Sequence, residues 1–140
     1  MNARIVLLAA LAALAACGTD QPEAPLVATN VDIPPARGGM PMRAGYLTLT
    51  NNSDAPIRIS RVESPQFGSV ELHETVDEDG VARMQAIAAL VIEPGGSVAL
   101  ERGGKHLMLM RPTADAAPDP VTLHLYDDDQ LLISVTSGLD

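Results

Sequence analysis

From Gly45 onward the apolar residues recur at every second position in short runs broken by turn residues. Pleated strands with one buried face satisfy that pattern, and helices do not. Leu47 and Leu49 alternate with threonines in Tyr46–Thr50, and Ile57 and Ile59 alternate with Arg58 and Arg61 in the next run. Val70 and Leu72 share one face of the strand that carries His73. Turn chemistry separates the runs at Asn51-Asn52-Ser53-Asp54, Asp77-Glu78-Asp79-Gly80, Glu93-Pro94-Gly95-Gly96, Arg102-Gly103-Gly104 and Asp127-Asp128-Asp129. The closing strands are Val121–Tyr126 and Leu131–Thr136. No stretch of ten or more residues in this region carries a helical stripe, so the pattern predicts an all-β sandwich or barrel of about seven or eight strands.

The only aromatic residues are Tyr46, Phe67 and Tyr126, so the core must be aliphatic and tryptophan stacking on a ligand is excluded. A chain of 140 residues with 46% hydrophobic content accommodates one domain. The formal charge is −9, and Arg4 is the only charged residue before Cys17, so the chain from Cys17 onward carries −10. Such an acidic surface argues against a nucleic-acid partner and suits a monomer.

The first residues place one positive charge before an apolar run of about a dozen residues, too short to span a bilayer. Leu14-Ala15-Ala16-Cys17 resembles the bacterial lipobox, in which the cysteine is acylated and becomes the new N-terminus. The expected organisation is a signal peptide at 1–16, a lipidated Cys17 with a tether at 17–26, and one domain at 27–140. In lipoproteins, Gly rather than Asp after the cysteine implies outer-membrane residence, facing the periplasm; here Gly18 follows Cys17. With the only cysteine lipidated, the domain has no thiol for a disulfide or a thiolate metal site. The tether is rich in Pro, Ala, Gly and Thr, and Val27–Ile33 reads as an added edge strand ended by Pro34-Pro35.

Chemistry must come from three histidines, His73, His106 and His124, and from the methionines Met40, Met42, Met84, Met108 and Met110. There is no nucleophile-elbow glycine pattern and the carboxylates sit mostly in turns, so no enzyme is expected. In Lys105-His106-Leu107-Met108-Leu109-Met110, alternation puts His106, Met108 and Met110 on one face. His73 and Met84 flank the acidic hairpin turn, and antiparallel pairing is expected to bring them together. His124 alternates outward with Thr122 and Tyr126 and reads as a surface residue. Met40 and Met42 lie before the first secure strand; loop packing is the plainer role, an auxiliary thioether the other. Met110 reads as core or as support to the ligands.

His73, Met84, His106 and Met108 follow the spacing H-x10-M-x21-H-x-M. In a chain with 3 histidines and 6 methionines, chance yields that arrangement on the order of 10⁻⁴ times. The spacing resembles the Cu(I) motif of the PCu(A)C periplasmic copper chaperone family. Tyr46-Leu-Thr-Leu-Thr-Asn-Asn, Val70-Glu-Leu-His, Ile92-Glu-Pro-Gly-Gly and Gly104-Lys-His-Leu-Met-Leu-Met are similar to that family as well. The resemblance implies a cupredoxin-like Greek-key β-sandwich that binds Cu(I) through His73, Met84, His106 and Met108. It further implies delivery to an acceptor protein, such as the binuclear copper centre of cytochrome c oxidase or another chaperone. Some members carry a His- and Met-rich C-terminal tail for Cu(II); the residues up to Asp140 do not show that pattern, so a second copper site is not expected.

The donor chemistry agrees with that implication. Thioethers favour Cu(I) over hard cations, and imidazole accepts copper in either oxidation state. Imidazole binds only when neutral, so affinity is expected to fall as pH drops below about 6.5. Two other readings fit the same residues: a metal-free envelope interaction module, and a protein that buffers copper without passing it on.

Overall fold

The computed structural model describes residues 23–113 and 119–138. The signal peptide, Cys17 and the first part of the tether lie outside the described residues.

Eleven strands and no helix occur among the described residues: β1 (Leu26–Asp32), β2 (Met42–Asn51), β3 (Ile57–Ile59), β4 (Arg61–Ser64), β5 (Phe67–Glu78), β6 (Val81–Ala86), β7 (Leu90–Ile92), β8 (Ser97–Leu100), β9 (Lys105–Pro112), β10 (Thr122–Asp127) and β11 (Gln130–Thr136). The main sheet runs β1-β2-β9-β5-β4-β10-β11, with β6 joined to β5 and β8 to β2, and β3 pairs β7 separately. Every pairing is antiparallel. β11 returns against β1, so the sheet curls toward closure. The architecture is all-β, as expected. Long strands bend to serve two neighbours: β2 pairs β9 through Met42–Gly45 and β8 through Leu47–Thr50.

The core is aliphatic, with Phe67 as its one aromatic member. Leu47, Leu49, Ile59, Ile92, Leu107, Leu109, Leu123 and Leu125 are all essentially inaccessible to solvent. In β2 and β9 these residues occupy alternate positions, which leaves the intervening ones on the outer face.

The expected strand around Ile57 to Arg61 is in fact two. Ile59 and Val62 are both buried, and a separation of three cannot keep both on one face of a continuous strand. The chain therefore changes partner at Ser60, with Ile57–Ile59 on β7 and Arg61–Ser64 on β5 and β10. Glu93–Gly96 likewise turns the chain from one sheet to the other. Its Gly95 N–H donates to the Asn51 carbonyl, and the Asn51 N–H donates to the Gly96 carbonyl, both at 2.9 Å. Such changes of partner raise the strand count above the number that alternation suggests.

Two buried polar side chains hold the corners. Asn51 donates to the carbonyls of Ala55 (2.8 Å) and Ile92 (2.9 Å) and accepts from the Ser53 N–H and hydroxyl. Arg43 donates to the carbonyls of Pro34 (2.9 Å) and Ile33 and pairs with Asp119 at 2.9 Å. It fastens the Pro34-Pro35 segment to β2. At the β10–β11 turn, Arg58 binds Asp127 (2.6 Å) and Asp128 (3.2 Å). These hydrogen bonds, that to Asp128 foremost, raise the Arg58 pKa above its ordinary value. The acidic turn is thus exposed yet clamped.

Candidate metal centre

The β5–β6 hairpin is closed by a two-residue turn in which Asp79 (φ 55°) and Gly80 (φ 80°) both adopt positive φ. That conformation matches the twist of the flanking strands and suits Asp-Gly. The Asp77 carboxylate accepts the Gly80 N–H at 2.9 Å. The turn fixes Glu78 opposite Val81, which in turn sets His73 opposite Ala86 and Met84 opposite Thr75. His73 and Met84 are therefore diagonal neighbours on one face rather than direct partners. Met84 is 60% exposed on a strand that is solvent-exposed throughout.

On its other side β5 pairs β9, with His73 directly opposite His106 and Glu71 opposite Met108. Cross-strand partners share a face, so both imidazoles and the Met108 thioether project from the outer side of the sheet. The two rings lie 5.9 Å apart, centroid to centroid, at 49°. His106 is only 6% exposed. The loop before β9 sets its ring: Nδ1 lies 3.0 Å from the Gly104 carbonyl, which can only accept, so Nδ1 carries hydrogen. In the neutral ring the lone pair is then on Nε2.

His73 is oriented the opposite way. Its Nε2 lies 2.8 Å from the Glu71 carboxylate and donates to it. Its Nδ1 is buried and has no hydrogen-bond partner among the described residues. Buried polar atoms are seldom left unsatisfied, and an orphaned ring nitrogen beside a second histidine fits a metal-ligating role. Both histidines are thus held by a neighbour in the tautomer that keeps one nitrogen free.

Met84 and Met108 line a single open cleft of about 350 Å³, together with Met40, Met42 and Tyr46. Among the described residues no group of three or more His, Cys, Asp or Glu side chains could hold a metal. Neither His73 nor His106 lines this cleft; the histidine pair offers imidazole nitrogens and the cleft beside it offers thioethers, donors that suit a soft ion and offer little to calcium, magnesium or a thiolate-bound zinc.

Met110 shares the outer face but sits opposite Met42 and Ser69, one pair beyond Met108. Met42 proves to be the first residue of β2 rather than part of a preceding loop. His124 stands on β10, opposite Ser134 and Glu63, with Nδ1 2.7 Å from the Ser134 hydroxyl. β4 separates it from the strand bearing His73, and it does not join the pair. Glu71 escaped the reading of motif residues, although its position two before His73 on a strand was the available signal.

The LpqE-like family model, described as a lipoprotein family, matches residues 26–137. The chain belongs to the LpqE-like family. A curated relative of this LpqE-like chain is the uncharacterized protein RP573 of Rickettsia prowazekii, 27% identical over 108 residues, covering 74% of this chain and 60% of the relative. The LpqE-like chain thus spans about 60% of that relative's length. The solution structure of Cu(I)-DR1885 from Deinococcus radiodurans is 29% identical with a TM-score of 0.60, covering 89% of this chain and 83% of that one. The copper-bound PCuAC domain from PmoF2 is 18% identical with a TM-score of 0.63, covering 80% and 89% respectively. The similarity to PCu(A)C domains expected from sequence holds: the LpqE-like fold is the single-domain β-sandwich of those structures.

Proposed function

We propose that this LpqE-like protein is a copper chaperone of the bacterial envelope, binding one Cu(I) per chain through His73, Met84, His106 and Met108. The observation that carries the reading is the buried, unpartnered Nδ1 of His73 beside His106. Two further supports are the thioethers that line one cleft and the likeness to Cu(I)-DR1885. The role of each residue follows from its position. Glu71 and the Gly104 carbonyl each engage one ring nitrogen, which leaves His73 Nδ1 and His106 Nε2 as the nitrogens to bind the ion. Met108, fixed on a central strand, supplies a thioether from the floor, and exposed Met84 supplies one from the rim.

A site of two neutral imidazoles and two neutral thioethers holds a soft monovalent cargo without a thiolate to trap it. That balance suits a carrier. The acceptor is a copper protein, the binuclear centre of cytochrome c oxidase being the expected one. Anchoring through a lipid on Cys17, in agreement with the lipoprotein description of the family, would hold the domain at the periplasmic face of a membrane, the outer one being favoured by Gly18.

The test is an anaerobic transfer assay. The mature chain loaded with Cu(I) is mixed with a copper-free oxidase copper domain, and metal is followed on both proteins after separation. Movement of copper to the acceptor is expected. Tight binding with no transfer to any acceptor indicates a buffer, and no binding at all indicates a metal-free module.

A further inference from the structure

The cleft that contains Met84 and Met108 has two more thioethers on its wall, from Met40 and Met42. Among the described residues no Asp, Glu or His lines it. Met40 is 53% exposed, so two of the large apolar side chains that this surface leaves open to water are methionines facing the same cleft. Isolated exposed methionines need no explanation, but four thioethers around one opening form a concentrated soft donor set.

The structure holds these residues in place. Arg43 fastens Ile33 and Pro34 to β2, and a turn closed by the Met40 N–H on the Arg37 carbonyl (3.2 Å) carries Met40. Gly38 (φ 61°) and Gly39 (φ 72°) supply the positive φ that this turn requires. Met42 lies opposite Met110 on β9, while the small Ala44 lies opposite Met108. Met42 and Met108 are therefore diagonal neighbours on adjacent strands, about 7–8 Å apart at their backbones. Ala44 lines the same cleft.

Resting on the copper reading above, we propose that Met40 and Met42 form with Met84 and Met108 an outer thioether site through which Cu(I) leaves the histidine pair. The step is ligand exchange. A sulfur–copper bond forms as an imidazole–copper bond breaks, the ion stays monovalent, and no proton or electron moves. Arginines border the cleft, with Arg102 paired to Asp32 (3.4 Å) and stacked over Tyr46 (4.7 Å).

The test uses Ag(I), a redox-inert soft monovalent ion, and methionine-methyl NMR on the mature chain and on its His73→Ala/His106→Ala variant. In the variant, addition of Ag(I) is expected to shift the Met40, Met42, Met84 and Met108 methyl signals and to leave Met110 in place. Unmoved Met40 and Met42 signals overturn the proposal. A second variant, Met40→Leu/Met42→Leu, preserves side-chain volume and should keep its equilibrium Cu(I) affinity. Its transfer of Cu(I) to a competing chelator is expected to slow roughly tenfold. An unchanged transfer rate, with Cu(I) binding intact, overturns the outer site alone. Failure of the unsubstituted chain to bind Cu(I) overturns the copper reading beneath it.

Discussion

Replacing Glu71 tests how the site is organised. Its carboxylate lies 2.8 Å from His73 Nε2, and the side chains are 50% and 18% exposed. Removal in Glu71→Ala frees the ring to turn and to exchange tautomers, so Nδ1 is no longer held as the free nitrogen. Loss of such an orienting partner lowers metal affinity by about 10- to 100-fold, or roughly 1.4–2.7 kcal/mol. The fold should lose less than about 1 kcal/mol, because a half-exposed pair contributes little to stability. Glu71→Gln separates two causes. A glutamine oxygen can still accept from Nε2, so it should recover most of the affinity if orientation dominates, and none if the negative charge does. Anaerobic competition against a chromophoric Cu(I) chelator gives the affinities, and urea unfolding gives the stabilities. Cu(I) affinity within twofold of the parent in Glu71→Ala would refute the reasoning.

Three further substitutions address the frame. Leu109→Ala empties a fully buried position on β9 and should destabilise by about 2–5 kcal/mol in urea unfolding; less than 1 kcal/mol would contradict the assigned core. Asn51→Ala removes the donors to the Ala55 and Ile92 carbonyls and should cost on the order of 2 kcal/mol in the same assay, whereas an unchanged midpoint would show that the corner does not depend on them. Gly80→Val meets no atom within 4 Å but must adopt φ near 80°, so it should cost about 1–2 kcal/mol. Hydrogen exchange should quicken in β6 and weaken the hold on Met84, and exchange equal to the parent's would refute the role of the turn.

The parts of this arrangement legible in sequence are those set by local chemistry. Alternation in Lys105–Met110 places His106 and Met108 on one outer face. Asp79-Gly80 signals a two-residue turn, and counting outward from it gives Met84 opposite Thr75, which places Met84 beside His73 on one face as the hairpin reading expected. The His73–His106 pairing lies on strands far apart in sequence, and only the β5–β9 register fixes it. Nothing in the sequence pattern marks Arg43, which is buried where it satisfies the carbonyls of Ile33 and Pro34. The change of partner at Ser60 was visible in the spacing of Ile59 and Val62, which breaks the period of two.

The central claim is that two imidazoles and two thioethers hold one Cu(I). X-ray absorption of the mature chain loaded anaerobically with one equivalent of Cu(I) tests it most directly, with Met84→Leu/Met108→Leu measured beside it. The account predicts a monovalent edge and a shell of two nitrogens and two sulfurs, the sulfur contribution vanishing in the double variant while the fold persists. A shell of nitrogen and oxygen alone in the unsubstituted chain, or a sulfur contribution that survives the double substitution, would contradict it.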